Sequence, residues 1–133
     1  MTGAVLADAI VRADLTNVVL VGFSLGGRVM MATAETLATR SGEESRIQSM
    51  HLLGAAVGTK RNWHAVLPAV DGTIHNYFSK NDKILSALYR VAERGTKAIG
   101  SEGIPSTSRK VKNVDVSKVV NAHQDHLRVV SLR

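Results

Sequence analysis

The sequence predicts an α/β domain: about four parallel strands with helices between and around them. Three observations predict it. Short aliphatic runs lack polar alternation, as strands of a parallel sheet do. Segments with helical spacing separate those runs. And the first run, Asn17–Val21, passes through Gly22-Phe23-Ser24-Leu25-Gly26 straight into a segment that reads as helix.

Taken in order, Ala4–Ala13 is predicted as a helix, with Thr2 as its cap and Leu6, Ala9, Ile10 and Ala13 on one face. Asn17–Val21 follows as a strand covered on both sides. Gly26–Thr39, rich in Ala and Met, is a helix ending near Ser41-Gly42. Ile47–Leu53 is a second strand, closed by Gly54. Thr59–Ala69, polar but holding Trp63 and Pro68, reads as a loop with a helical turn. Ile74–Ser79 is the third strand and Lys83–Arg94 the helix after it. Gly95–Ser108 is a long loop by its Gly, Pro, Ser and Thr content, and Val111–Val116 is the fourth strand. Ser117 is placed as the cap of a last helix with Val119, Val120, Leu127 and Val130 as apolar positions. Strands separated by helices imply right-handed crossovers, and sites in such sheets lie at the carboxyl ends of the strands.

Composition narrows the function. With 133 residues, one domain is expected, and 44% apolar residues suffice for a core that is mostly aliphatic, since aromatics make up 4%. The absence of cysteine removes disulfides, thiolate catalysis and sulfur-ligated zinc. The amino-terminal stretch carries Asp8, Arg12 and Asp14 and reads as an amphipathic helix, not a signal peptide. A soluble, cytoplasmic chain is expected. The net charge of +6 gathers at Arg109, Lys110, Lys112 and Lys118, with Lys60-Arg61 and Lys80/Lys83 as smaller groups. No aromatic interleaving or nucleic-acid module accompanies it, so this reads as a solvated basic rim, with peripheral contact to an anionic membrane as a weaker reading. No metal or cofactor is expected. The histidines lack H-E-x-x-H spacing, and Gly54–Lys60 has the wrong spacing for a phosphate loop.

The motif that carries chemistry is Gly22-x-Ser24-x-Gly26 between strand and helix, a nucleophile elbow. A tight turn pushes the Ser24 hydroxyl out at the strand end. Gly22 and Gly26 are expected where side chains would collide with backbone. The helix that follows aims its free N–H groups at the same spot, with the Leu25 N–H as an oxyanion donor. A serine nucleophile needs a base and the base an orienting carboxylate; in α/β-hydrolases they follow in the order Ser, Asp or Glu, His. Asp82 lies after the third strand, where Asn81-Asp82 also reads as an ordinary helix cap. That order leaves His123 and His126. His123, nearer the last strand, is the expected base, and His126 is the alternative. Asp125 reads as a surface residue.

These residues together resemble a known group: the α/β-hydrolase family that includes the transmembrane and coiled-coil domain hydrolases and bacterial relatives of unknown function. The likeness covers about Asn17 to Leu127 and rests on VVLVGFSLGGRVM, HLLGAAVG, NYFSKNDKILSALYR and VKNVDVSKVVNAHQDHL. It implies Ser24 as nucleophile, Asp82 as acid and His123 as base, acting on lipid or other carboxylic esters. A complete hydrolase of this kind has strands ahead of the one bearing the nucleophile, and one of their loops supplies a second oxyanion donor. The chain is therefore expected to be the carboxyl-terminal half of such a domain. Two functions follow: a serine esterase or lipase-like hydrolase, or a remnant that keeps the fold as a binding or assembly module. The Asn17–Val21 strand is expected to be an unprotected edge that pairs with a second copy of the chain.

Overall fold

The computed structural model describes residues 1–40, 45–92 and 95–132. Its sheet has four parallel strands, β1 (Val18–Phe23), β2 (Ile47–Leu53), β3 (Ile74–Phe78) and β4 (Val111–Asp115), in the order β1-β2-β3-β4. The helices are α1 (Thr2–Arg12), α2 (Leu25–Ala38), α3 (Lys83–Ala92), α4 (Ile99–Glu102) and α5 (His126–Val129). The α/β class read from the sequence holds. The predicted helix end at Ser41-Gly42 and the predicted terminus at Arg94 lie outside the described residues.

Register divides the sheet into two unlike faces. Leu20, Met50, Ile74 and Val111 are aligned across the strands. The first three are buried in the main core with Met31, Ala34 and Leu37 of α2, and Val111 packs against that core. The neighbouring row, Val21, His51, His75 and Lys112, points to the other face. There Val19 and Val21 are 47% and 48% exposed, so the expectation that the first strand is covered on both sides fails. Strand order explains this. Right-handed crossovers that all step in one direction put their connections on a single face. The same aliphatic run thus serves a strand whose second face stays half-exposed at Val19 and Val21, although His51, Leu53 and Tyr77 on the neighbouring strands are buried.

Other departures are local. Helix α1 starts at Thr2, with Met1 as its cap. Its buried positions are Gly3, Ala7 and Ile10, whereas Ala9 and Ala13 are exposed. The predicted long loop contains α4. Asn76 is buried beneath it and donates to the Ile99 carbonyl at 2.9 Å, and Asn113 exchanges hydrogen bonds with the Ile104 backbone at 2.8 and 2.9 Å. The Thr59–Ala69 segment forms two 3-10 turns, Trp63–Ala65 and Leu67–Ala69, with Trp63 buried. One member of the basic rim is not solvated: the Lys110 ammonium donates to the carbonyls of Leu67 and Val70.

Candidate active site

The β1–α2 turn sets the geometry. Ser24 stands at φ 53°, ψ −118°, a strained conformation for a side-chain-bearing residue. Backbone bonds over-determine it. The Ser24 N–H donates to the Leu53 carbonyl at 3.1 Å, and its own carbonyl accepts from Gly27 at 3.0 Å and Ala56 at 2.9 Å. Gly22 is needed, because a Cβ there would lie 2.7 Å from the Gly26 carbonyl oxygen. Gly26 is not the second tight position. Open space surrounds it, and Gly27 takes that role, with a Cβ falling 2.6 Å from Ala55 Cβ. Leu25 opens α2, so its N–H is among the first-turn amides that have no acceptor within the helix.

The loop after β3 and the segment after β4 are laced together. The Ser79 hydroxyl donates to the Val120 carbonyl at 2.8 Å, the Lys80 N–H to the Ser117 hydroxyl at 2.9 Å, and the Asn81 amide to the Ser117 carbonyl at 2.8 Å. Asp115 also accepts from the Ser117 N–H and hydroxyl. Ser117 therefore ends a strand and fixes a turn instead of capping a helix. The predicted last helix reduces to a 3-10 turn, His123–Asp125, and α5. Of its expected apolar positions, Val120 is buried while Val119 and Leu127 are exposed. Asp125, expected as a mere surface residue, accepts from the Asn121 and Ala122 amides at 3.1 and 2.9 Å and shapes the turn that presents His123.

This lacing brings three predicted residues together. His123 Nε2 lies 2.8 Å from Ser24 Oγ, and His123 Nδ1 lies 2.5 Å from Asp82 Oδ2. An ionised carboxylate can only accept, so Nδ1 carries the proton and Nε2 accepts from the serine hydroxyl. The Phe23 ring packs on His123 with centroids 4.8 Å apart. Asp82 is fully buried and does both things the sequence allowed. Its Oδ1 caps α3 by accepting from the Leu85 N–H at 3.0 Å, and its Oδ2 faces His123. Burial pushes this carboxyl up, but His126, His123 and the Leu85 amide outweigh it and hold it below the ordinary carboxylate value. His126 does not reach the serine. It is buried behind Asp82, with Nε2 3.6 Å from Oδ2, and the sequence held no signal for this second approach. Among the described residues no group of three His, Asp or Glu side chains is placed to hold a metal ion.

The family profile described as "Protein of unknown function (DUF726)" matches residues 1–131. The chain belongs to that family. Among curated relatives of this DUF726 chain, it is 34% identical to the Transmembrane and coiled-coil domain-containing protein STS1 of Oryza sativa subsp. japonica, over 94% of the chain and 19% of that protein. It is 33% identical to an uncharacterized membrane protein of Schizosaccharomyces pombe, over 97% of the chain and 23% of that protein. A third relative, an uncharacterized membrane protein of Caenorhabditis elegans, is 32% identical over 82% of the chain and 18% of its own length. The chain thus spans about a fifth of the length of these relatives. No solved structure matches it significantly. Two relatives are named as membrane proteins, yet among the described residues no helix is long and apolar enough to cross a membrane.

Proposed function

We propose that this DUF726 chain is the nucleophile-bearing part of an α/β-hydrolase and cleaves carboxylic esters through Ser24, His123 and Asp82. The observation that carries the reading is the unbroken hydrogen-bonded series from Ser24 Oγ through His123 to Asp82, starting at a strained turn. Ser24 Oγ attacks the ester carbonyl while His123 Nε2 takes its proton. The tetrahedral oxyanion faces the Leu25 N–H and the amino end of α2. As the intermediate collapses, His123 returns the proton to the departing alkoxide, leaving acyl-Ser24. Water, deprotonated by His123, then releases the acid. Asp82 holds Nδ1–H in place and stabilises the imidazolium.

Lipid esters fit the surroundings. Leu25, Ile84, Leu88 and Leu127 are exposed apolar residues on the helices that follow the strands; Lys80 and Lys118 are exposed cations in the segments after β3 and β4, and Lys83 is exposed at the start of α3. Peripheral contact with an anionic membrane surface belongs to the same proposal, and salt-sensitive binding to anionic vesicles tests it. So does a cytoplasmic location, checked by protease protection of tagged protein. The deciding experiment is labelling with a fluorophosphonate. Ser24 should be modified and Ser24→Ala should lose all labelling. Labelling that survives in Ser24→Ala removes the nucleophile assignment, and an unreactive native chain favours a non-catalytic assembly module.

A further inference from the structure

His126 is a buried polar group that the proposed reaction does not use. Its side chain is fully buried, and neither ring nitrogen has a hydrogen-bond partner among the described residues. Buried polar groups are nearly always paired, so an orphan of this kind calls for a reason. The ring is clamped. A Cβ on Gly54 would fall 2.7 Å from His126 Cδ2 and 2.8 Å from Nε2, and Gly54 itself stands at φ +49°. Residue 54 is therefore restricted to glycine on two counts, and the ring has no room to move toward β2. What it faces is the acid. Nε2 lies 3.6 Å from Asp82 Oδ2, the oxygen that also receives His123 Nδ1–H. The two imidazoles approach it from different sides, with ring centroids 6.2 Å apart and planes at 72°.

We propose that His126 is a positioning residue for the Asp82–His123 pair, aiming an Nε2–H at Oδ2 so that one buried carboxylate is shared between two imidazoles. The proposal rests on the reading of Ser24, His123 and Asp82 given above. Two consequences follow from elementary electrostatics. An N–H directed at Oδ2 from 3.6 Å, though too long for a hydrogen bond, favours the ionised form of the fully buried Asp82. It also shares the negative charge of Oδ2 between two rings, a charge that removal of His126 would leave to His123 alone. The other groups facing His123 are Ser24 and the Phe23 ring. Asp125, on the same turn, is engaged with the Asn121 and Ala122 amides.

The test is the titration of His123 by ring-nitrogen NMR, which needs no turnover. In the native chain His126 should be the Nε2–H tautomer; the Nδ1–H tautomer overturns the proposal. In His126→Leu the carboxylate loses its second donor, and the His123 midpoint should rise by about half to one pH unit. His126→Gln, whose amide reaches the position of Nε2, should restore it. His126→Asn, whose amide stops short, should behave like the leucine variant and serves if that variant does not fold. A midpoint unchanged in both the Leu and Asn variants overturns the proposal. Fluorophosphonate reactivity separates the two claims. A shifted midpoint in an unreactive protein removes the hydrolase reading alone, and an unshifted midpoint in a reactive one removes this proposal alone.

Discussion

Two pairs of histidines sit in this small domain, and their settings are opposite. His123 and His126 converge on the buried Asp82 carboxylate at the carboxyl end of the strands. His51 and His75 are neighbours on β2 and β3, stacked with centroids 4.6 Å apart and planes 3° from parallel. The groups around that stack are the Tyr77 hydroxyl, 3.0 Å from His51 Nδ1, and Lys112, aligned with His75 on β4. Burial lowers the His51 pKa. It lowers His75 too, with His51 and Lys112 adding in the same direction. A carboxylate makes a histidine a directional base, whereas burial and a nearby cation disfavour its charged form. The residue type is the same; the partner decides what it does.

The largest break in that comparison comes from the serine-facing ring. His123→Ala should lower ester hydrolysis by about 10⁴-fold or more, as loss of a catalytic base does elsewhere. His75→Gln, which removes an imidazole of the other pair, should leave turnover within about threefold, since it touches no reacting atom. Comparable losses in the two variants would erase the distinction. A larger loss at His126 than at His123 would reverse the assignment of the base.

Next in size is the acid. Asp82→Asn keeps a side chain that can still cap α3 through the Leu85 N–H. It should therefore fold, yet lower kcat by about 10³–10⁴ because His123 is held in the wrong tautomer. A mild loss of activity in a well-folded variant would leave Asp82 as a helix cap and nothing more.

These contrasts bear on what the chain reveals before it folds. Ile47–Leu53 was legible to the residue, and the other strands to within one or two, because aliphatic runs bounded by Gly, Asn and Ser have few alternative readings. That Ser24, Asp82 and His123 come together was legible because the elbow motif and chain order restrict the candidates; what they do there is the proposal tested above. What stayed hidden depends on distant partners. Helix α4 rests on Asn76 and Asn113, and the turn after β4 on a serine tied to Lys80 and Asn81. The exposure of Val19 and Val21 is a consequence of strand order, to which no single strand's pattern is sensitive. The two histidine pairs could not be told apart by type or spacing, only by what packs beside them.

A gentler test separates the pairs by pH. His51 and His75 have folded pKa values below the ordinary histidine value, so the unfolded chain binds protons first as pH falls. Their contribution to stability is complete above the unfolded value and is lost as pH drops from there toward the folded values. Asp82, also lowered, contributes fully above the unfolded carboxylate value and loses it only at more acid pH. Denaturation midpoints measured across mildly acid pH should thus fall in a step that His51→Gln with His75→Gln flattens, while Asp82→Asn acts on the more acid step. A mildly acid step that persists unchanged in the double variant would place its origin elsewhere.

The smallest expected effect on the isolated chain concerns the edge beside the second pair. Strand β1 ends the sheet and, among the described residues, pairs only with β2. It offers a row of backbone groups toward solvent, and its half-exposed Val19 and Val21 lie on the same face as His51 and His75. No inward charge or proline guards it. A second copy pairing along β1 about a two-fold axis would cover the edge and continue the sheet, and would put each Val19 close to its symmetry mate. Sedimentation at increasing concentration should then detect a dimer. Val19→Lys should weaken it by about tenfold or more through like-charge repulsion, while changing monomer stability by no more than about 0.5 kcal/mol, as expected of a surface site. A monodisperse monomer at all concentrations, indifferent to Val19→Lys, would rule out edge pairing along β1.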